Sequence, residues 1–344
     1  MAVAAPKPLL TTHAGTTAGS WEFIVAPVRP FLDRVSARMV SQVDEFEPEI
    51  AEYARYALDN QGKQLRPSLV ALSGMAVGEL TDQLVDIAVV IEMIHLATLV
   101  HDDIMDEARI RRGRATLATK WGSEVSVLVG DCLFAHALKM ATNFPATDVC
   151  RAIAEATSRV CAGEILQTHR RRRWGLARPE YYKVLEMKTA ELFGLACGLG
   201  VRLAGGHADI QAALRRYGLA LGTAYQIYDD CLDLYGAENS AGKSLGTDLA
   251  KGKVTLPLLV LLERATPADR NQLLGYLESW RPEFCPQVRE LLDAYQALPE
   301  SIAVIHDFLD TARSELVVVE NTTSAQSLVQ FTDFLLQQTS ALGV

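Results

Sequence analysis

The sequence predicts an all-α fold for this chain of 344 residues, and three observations support the prediction. Long stretches rich in alanine, leucine, glutamate, glutamine and arginine alternate with short breaks, as expected of helices joined by brief connections. The alternation of polar and apolar residues that marks half-buried strands is almost absent. No linker rich in proline, serine or glycine divides residues 21–344, so we expect a single all-α domain there.

The elements are predicted in chain order. Residues 1–20 are rich in alanine, threonine and glycine, and prolines interrupt any signal-peptide core, so we expect a disordered N-terminal tail. The segment 81–108 is apolar on nearly all sides, which indicates a helix at the centre of a bundle. Helices are predicted at 22–39, 45–60, 65–76, 81–108, 122–141, 148–170, 179–204, 209–236 and 254–264, with more towards the C-terminus.

Composition argues against several classes of protein. The chain has 33 basic and 42 acidic residues, a net charge of −9, which disfavours a nucleic-acid partner. Its 6 cysteines form no CxxC pair, so neither a disulfide framework nor a zinc site is expected, and a reducing cytoplasm fits best. The most apolar window, 84–100, contains Asp86, Glu92 and His95, which favours a buried helix over an integral membrane segment.

An acidic pattern, DDxxD, occurs twice in strongly apolar surroundings. The first and last aspartates of each copy are four residues apart and therefore share a helix face. Packing like charges beside apolar surface is costly unless cations neutralise them, and ligands that are all oxygen favour a hard cation such as Mg²⁺. A solvated acidic patch at a helix end is the alternative, but negative charge there opposes the helix dipole. The two copies are Asp102-Asp103-x-x-Asp106 and Asp229-Asp230-x-x-Asp233.

Several basic residues lie beside turns or next to these motifs, where they could contact a diphosphate. Arginine offers a bidentate fork to phosphate and lysine a mobile charge. Each one singly could be a solvated, snorkelling or ordinary loop residue, whereas their joint placement favours phosphate binding. The residues are Lys63, Arg66, Arg111, Arg112, Lys188, Lys243 and Lys253.

These blocks resemble the trans-isoprenyl diphosphate synthases, the polyprenyl synthetase family, from about Trp21 to the last helices. The blocks are GKQLRP (62–67), HLATLVHDDIMDEARIRRG (95–113), GEILQ (163–167), KT (188–189), YQIYDDCLDLYG (225–236) and GKSLGTDLAKGKVTLP (242–257). The resemblance implies an isoprenoid synthase fold, a large helical bundle around a central cavity, and a homodimer. It also implies condensation of isopentenyl diphosphate with an allylic diphosphate.

The resemblance further implies roles for single residues. Three Mg²⁺ ions are expected, two held by Asp102 and Asp106 with Asp103, and one by Asp229 supported by Asp230 and Asp233. The allylic diphosphate would face Arg111, Lys188, Thr189, Gln226, Lys243 and Lys253. Isopentenyl diphosphate would bind at Gly62, Lys63, Arg66, His95 and Arg112.

Helix geometry bears on two of these residues independently. Residues seven apart return to nearly the same face, which aligns His95 with Asp102 and Gln226 with Asp233. A lone histidine on an apolar helix is more often a core residue. The alignment with Asp102 nevertheless favours a phosphate contact for His95.

Small side chains before the first motif bear on product length. In the family, short-chain enzymes often carry aromatics at the positions held here by Ala97 and Thr98, or an insertion in the motif that this chain lacks. We therefore expect a product longer than about twenty carbons, octaprenyl-like; the alternative is geranylgeranyl or farnesyl diphosphate. Phe134, Leu138 and Met140 are candidates for the cavity floor.

Two rival functions and several departures from the family pattern remain. A class I terpene cyclase or head-to-head condensing enzyme would share the metal chemistry, but cyclases normally replace the second DDxxD. A non-catalytic regulatory subunit would typically have lost aspartates, and none is missing here.

Gln61 and Gln64 stand where the family has glycine and arginine, and the basic run Arg170–Arg173 has either a surface role or a role in attracting anions to the site.

Overall fold

Helices form nearly all of the regular structure. The computed structural model describes residues 20–59, 62–236, 246–320 and 322–342, so most of the predicted tail and the candidate residue Lys243 lie outside the described residues. The helices are α1 Trp21–Val25, α2 Arg29–Ser41, α3 Pro48–Leu58, α4 Leu65–Met75, α5 Asp82–Met105, α6 Leu117–Trp121, α7 Ser123–Ala141, α8 Thr147–His169, α9 Arg178–Leu185, α10 Glu191–Leu203, α11 Ala208–Tyr235, α12 Thr247–Ala250, α13 Leu256–Arg264, α14 Pro267–Glu278, α15 Cys285–Ala294, α16 Ala297–Glu315 and α17 Thr323–Thr339.

Strands are limited, within the described residues, to one small hairpin. β1 (Ile110–Arg111) pairs antiparallel with β2 (Arg114–Ala115) across a two-residue turn. Both turn residues, Arg112 and Gly113, have positive φ (51° and 74°), as a tight hairpin turn of the primed type requires. The prediction of an all-α fold is confirmed.

Two predicted helices are interrupted for local reasons. The helix expected at 22–39 is broken by a 3₁₀ turn at Ala26–Val28, because Pro27 and Pro30 have no backbone N–H to donate. The helix expected at 179–204 contains a π-helical turn, Glu186–Ala190, between α9 and α10. Such turns widen the helix locally and are common at functional sites.

The buried core centres on α5, α10 and α11. Helix α5 packs against α4, α7 and α10, and α11 packs against α10 and α16. One cluster of buried side chains extends along the chain from Trp21 to Leu342. Helix α5 is long and apolar enough to cross a membrane, but 72% of its apolar window is buried inside the protein, so we assign it as a core helix.

The candidate site lies where two of these helices end. Helix α5 ends at Met105, with Asp102 and Asp103 in its last turn and Asp106 as its C-cap, and α11 carries the second motif and ends at Tyr235. After α5 the chain turns through Glu107, whose φ of 51° is left-handed, into the hairpin. The turn therefore returns Arg111 and Arg112 towards the end of α5.

Candidate active site

The first two aspartates of the first motif face different cations. The Lys188 Nζ lies 3.7 Å from Asp102 Oδ2, and Arg111 Nε donates a hydrogen bond of 2.6 Å to Asp103 Oδ1. Burial raises the pKa of Asp103, and the Arg111 guanidinium opposes that shift. Arg111 is therefore engaged by a carboxylate of the motif itself.

The third aspartate, Asp106, lies between two basic segments. Lys253 Nζ donates to Asp106 Oδ2 at 3.0 Å and also lies 3.2 Å from Asp248 Oδ1, while Arg171 Nη2 lies 3.6 Å from Asp106 Oδ1. Burial alone would raise the pKa of Asp106, but the Lys253 ammonium holds it below its ordinary value. The carboxylate thus stays charged in a largely buried position.

The second motif is more deeply buried than the first. Asp230 accepts hydrogen bonds from the Tyr181 hydroxyl (2.7 Å) and from Gln226 Nε2 (2.9 Å). Burial, with the nearby Asp248 carboxylate, raises the pKa of Asp230 to about 7. Asp229 is partly exposed and faces a more open environment than Asp230.

Asp233, the last residue of the second motif, holds the start of α12. Its two carboxylate oxygens accept hydrogen bonds from the Thr247 hydroxyl (2.9 Å) and the Asp248 N–H (3.0 Å). Its side chain is buried, at 1% exposure. This carboxylate therefore caps the first turn of α12 from a distant part of the chain. The sequence had led us to expect only that Asp233 supports a metal ion.

A chain of contacts joins the two motifs into one site. Thr189 Oγ1 donates to Gln226 Oε1 at 2.7 Å, and Gln226 in turn donates to Asp230. Thr189 follows Lys188, which lies beside Asp102. The π-helical turn between α9 and α10 therefore contacts the first acidic motif directly and the second through Gln226.

Lys188 is fixed in that turn by residues of α8. It donates to Gln167 Oε1 at 2.9 Å and pairs with the Glu164 carboxylate. Burial would lower the pKa of Lys188, but the carboxylates of Asp102 and Glu164 raise it above its ordinary value. Gly163 allows this close approach, because a Cβ there would lie 2.7 Å from the Lys188 backbone nitrogen.

A second, basic cluster lies beside α5, on the N-terminal side of the first motif. Arg66 and Arg112 surround the buried carboxylate of Glu92, and Gly62 faces the Arg112 guanidinium, which a Cβ there would approach to 2.5 Å. Arg66 Nε and Glu92 Oε2 are buried with no hydrogen-bond partner among the described residues. Burial and then the two guanidiniums lower the pKa of His95 well below its ordinary value, so this imidazole is neutral. Two guanidiniums against one carboxylate leave net positive charge, which suits an anionic ligand.

Lys63 follows Gly62 in the loop before α4, and its side chain contacts the C-terminal helix. Its Nζ lies 5.3 Å from the centre of the Phe334 ring of α17. Burial lowers its pKa to about 8, with Glu22 opposing the shift. Helix α17 therefore contributes an aromatic contact to Lys63, a candidate substrate-binding residue.

The acidic motifs fit a hard divalent cation in their donor chemistry. Asp106 Oδ1 is buried without a hydrogen-bond partner within the described residues, so a cation could satisfy it. In that part of the chain no three acidic, histidine or cysteine side chains converge closely enough to hold a metal alone. Because Mg²⁺ commonly takes one or two carboxylates and completes its shell with water and substrate phosphates, this arrangement fits such an ion bound together with a diphosphate.

Residues proposed to control product length lie near the first motif. Ala97 is fully buried, whereas Thr98, on the face of Asp102, is partly exposed. Phe134 and Met140 pack against the core. Leu138 is 38% exposed and therefore does not face the interior of the chain, which disagrees with its expected place in the cavity floor.

Sequence reasoning missed several residues of the site. Glu92 is a charged residue in the most apolar window, one turn before His95, and this spacing was an available signal. Glu164 and Gln167 share a helix face in the GEILQ block. Nothing in the sequence pointed to Tyr181. The missed residues are Glu92, Glu164, Gln167, Tyr181 and Asp248.

Comparison with known proteins gives concordant matches. The polyprenyl synthetase family model matches residues 47–295. The short chain isoprenyl diphosphate synthase of Methanothermobacter thermautotrophicus is 32% identical over 90% of this chain and 97% of its own length. The octaprenyl diphosphate synthase of Escherichia coli K12 is also 32% identical, over 88% of this chain and 94% of its own.

A solved structure extends the likeness to three dimensions. The polyprenyl synthase of Caulobacter crescentus, complexed with calcium and isoprenyl diphosphate, matches with a TM-score of 0.86 and 31% identity over 94% of this chain and 99% of that one. This likeness confirms the isoprenoid synthase fold. The chain belongs to the polyprenyl synthetase family, whose members are prenyl diphosphate synthases and therefore transferases.

Proposed function

We propose that this protein is a Mg²⁺-dependent head-to-tail trans-prenyltransferase that condenses isopentenyl diphosphate with an allylic diphosphate into an all-trans polyprenyl diphosphate. One observation carries the proposal. The contacts through Lys188, Thr189 and Gln226 join the two acidic motifs, and a separate cluster of guanidiniums surrounds Glu92 of α5. Two anionic substrates thus find two adjacent sites of different chemistry.

The aspartates would hold the metal ions with the allylic diphosphate. Asp102, Asp103 and Asp106 would hold two of three Mg²⁺ ions, and Asp229, supported by Asp230 and Asp233, the third. When bound, these ions withdraw charge from the departing diphosphate and so favour its release. The calcium and isoprenyl diphosphate bound to the Caulobacter crescentus relative support this use of the site.

The basic side chains divide between the two substrates. Lys188 and Lys253, both largely buried beside the first motif, would neutralise the allylic diphosphate; Arg111, Thr189, Gln226 and Lys243 complete that set. Isopentenyl diphosphate would bind beside Glu92 of α5, at Gly62, Lys63, Arg66, His95 and Arg112. Because His95 is neutral, its ring can donate one hydrogen bond to phosphate without adding charge.

The reaction breaks the bond between the allylic carbon and the diphosphate oxygen. The electrons of the isopentenyl double bond would then form the new carbon–carbon bond to the allylic cation, and transfer of a proton to the released pyrophosphate would restore a double bond in the extended product. Fixed cations such as Lys188 stabilise charge on the departing oxygen without needing to reorganise. The buried apolar residues of α5 would exclude the water that could quench the cation.

The product is proposed to be longer than about twenty carbons. Ala97 and Thr98 present small side chains just before the first motif, and only Thr98 is partly exposed there. A growing chain would pass Thr98, on the face of α5 that carries Asp102. The relatives include both short-chain and octaprenyl synthases, and we favour the longer product on the size of these two side chains.

We further propose a cytoplasmic homodimer whose chain forms one all-α domain from residue 21 onwards. Apolar side chains are exposed on neighbouring helices: Val127 (42%) and Leu128 (59%) on α7 and Ile165 (69%) on α8. Such side chains are typical of a surface that a second copy covers. A mass equal to one chain in light scattering at micromolar concentration would contradict the dimer.

Incubation with isopentenyl diphosphate, Mg²⁺ and each of three allylic primers, followed by chromatography of the products, tests the proposal. Asp102→Ala and Asp229→Ala should each lower turnover by at least about a hundredfold, a loss typical of removing one electrostatic group from a site. Circular dichroism should show unchanged helix content. Retained activity in either variant would refute that residue's metal role, and a hydrocarbon product without diphosphate would favour a terpene cyclase.

A further inference from the structure

The four arginines between α8 and α9 have different surroundings. Arg170 donates to the Glu180 carbonyl at 2.8 Å, and Arg173, 56% exposed, donates to the Glu180 carboxylate at 3.3 Å. Arg172 is exposed. Arg170 and Arg171 are both largely buried, with side chains 14% and 23% exposed, but Arg171 is the one that approaches the first acidic motif. Arg172 and Arg173 therefore lie at the surface, Arg170 binds a backbone carbonyl, and Arg171 lies beside the candidate site.

Arg171 approaches the first acidic motif without bonding to it. Its Nη2 lies 3.6 Å from Asp106 Oδ1, which is too long for a hydrogen bond. Arg171 Nε, Arg171 Nη2 and Asp106 Oδ1 are buried and have no hydrogen-bond partner within the described part of the chain. Buried charged donors left unbonded are costly, so this arrangement is suited to an additional oxygen ligand.

The backbone of Arg172, the next residue, binds this loop to the segment that carries Lys253. Arg172 has a left-handed φ of 59°, and its N–H donates to the Gly252 carbonyl at 2.7 Å. Gly252 is followed by Lys253, which donates to Asp106. Arg171 and Lys253 are thus carried to one carboxylate by two segments that are hydrogen-bonded to each other.

We propose that Arg171 is a diphosphate-binding residue, whose unbonded N–H groups donate to phosphate oxygens of the allylic substrate held at the first motif. If its role were only to neutralise Asp106, we would expect a bonded pair like Arg111 with Asp103, at 2.6 Å. Asp106 already has Lys253 bonded to it, with Lys188 close by. The planar guanidinium fork matches phosphate geometry, and its charge does not depend on pH. This inference rests on the proposed function, because it names a further contact for the same substrate.

Binding of inorganic pyrophosphate in the presence of Mg²⁺, measured by calorimetry on the full chain, tests Arg171 without relying on turnover. Arg171→Gln should weaken this binding by about ten- to a hundredfold, as loss of a charged hydrogen bond does. Arg171→Lys should lose less, because it keeps the charge. Arg173→Gln is the matched control from the same run, and its binding should equal that of the unmodified chain.

Kinetics of the same variants locate the effect. Arg171→Gln should raise the KM for the allylic primer and leave the KM for isopentenyl diphosphate unchanged. Equal pyrophosphate binding by Arg171→Gln and the unmodified chain, with equal thermal unfolding, would overturn the role of Arg171 even where products form normally. Weaker binding by Arg171→Gln, in a chain that binds pyrophosphate but forms no prenyl product, would support Arg171 and contradict the proposed function. No pyrophosphate binding by the unmodified chain would overturn both.

Discussion

Replacing Gly163 of α8 with alanine is expected to displace Lys188, because α8 packs closely against the π-helical turn at this glycine. The new Cβ would lie 2.7 Å from the Lys188 backbone nitrogen and 2.9 Å from Met187 Cβ. Ordinary contacts begin near 3.4 Å, so the turn must move by about 0.7 Å. Because one of the atoms is backbone, no side-chain rotation can relieve this overlap.

The two consequences of that shift differ in size. Overpacking costs about 1–3 kcal/mol, and alanine recovers about 1 kcal/mol of helix propensity, so the free energy of unfolding should fall by about 0–2 kcal/mol. Misplacing a catalytic group by about 1 Å can cost a hundredfold in rate, so the displaced Lys188 should lower kcat by about tenfold or more. Activity is therefore expected to fall far more than stability.

Steady-state turnover and urea unfolding of Gly163→Ala, compared with Gly275→Ala, measure these effects. Gly275 lies in α14, and no atom of the described residues beyond its own helix backbone lies within 4 Å of its ideal Cβ. Its alanine variant should therefore gain about 1 kcal/mol and keep full activity. If Gly163→Ala behaved like Gly275→Ala, with unchanged kcat and raised stability, the π-helical turn would not control the position of Lys188.

Two further predictions concern substrate binding and product length. Because burial lowers the pKa of Lys63 to about 8, its ammonium loses a proton as the pH rises through that value. The kcat/KM for isopentenyl diphosphate should then fall above pH 8, to about a tenth of its plateau near pH 9, while Lys63→Arg should not show the decline. A decline that persists in Lys63→Arg would assign it to another group. Thr98→Phe should shorten the product by at least one isoprene unit relative to Thr98→Val on reversed-phase chromatography, and identical products from both variants would contradict the proposed path of the chain.

The sequence predicted those parts of the site that depend on one helix at a time. The spacing of Asp102 and Asp106 puts both carboxylates on one face wherever that segment is helical, and the same holds for Asp229 and Asp233. The apolar surroundings of α5 likewise placed it in the core. Such properties follow from the helical repeat and need no knowledge of neighbouring elements.

The residues that these carboxylates contact could not be predicted from the helical repeat. Arg111 turns to Asp103 because of the hairpin, and Asp233 caps α12 instead of facing an open space. Glu164 reaches Lys188 only because α8 lies against a π-helical turn, which the continuous helix predicted at 179–204 did not include.

The run Arg170–Arg173 shows most clearly what the sequence could predict and what it could not. Four identical side chains in a row carry no information about which of them approaches Asp106. The hydrogen bond from Arg172 to Gly252 fixes that choice, across a separation along the chain that no local pattern spans. The sequence thus determined the helices, the acidic faces and the family, because these depend on short-range periodicity and ordered motifs. Only the tertiary structure decided which cation faces which carboxylate, because packing between distant segments sets those distances.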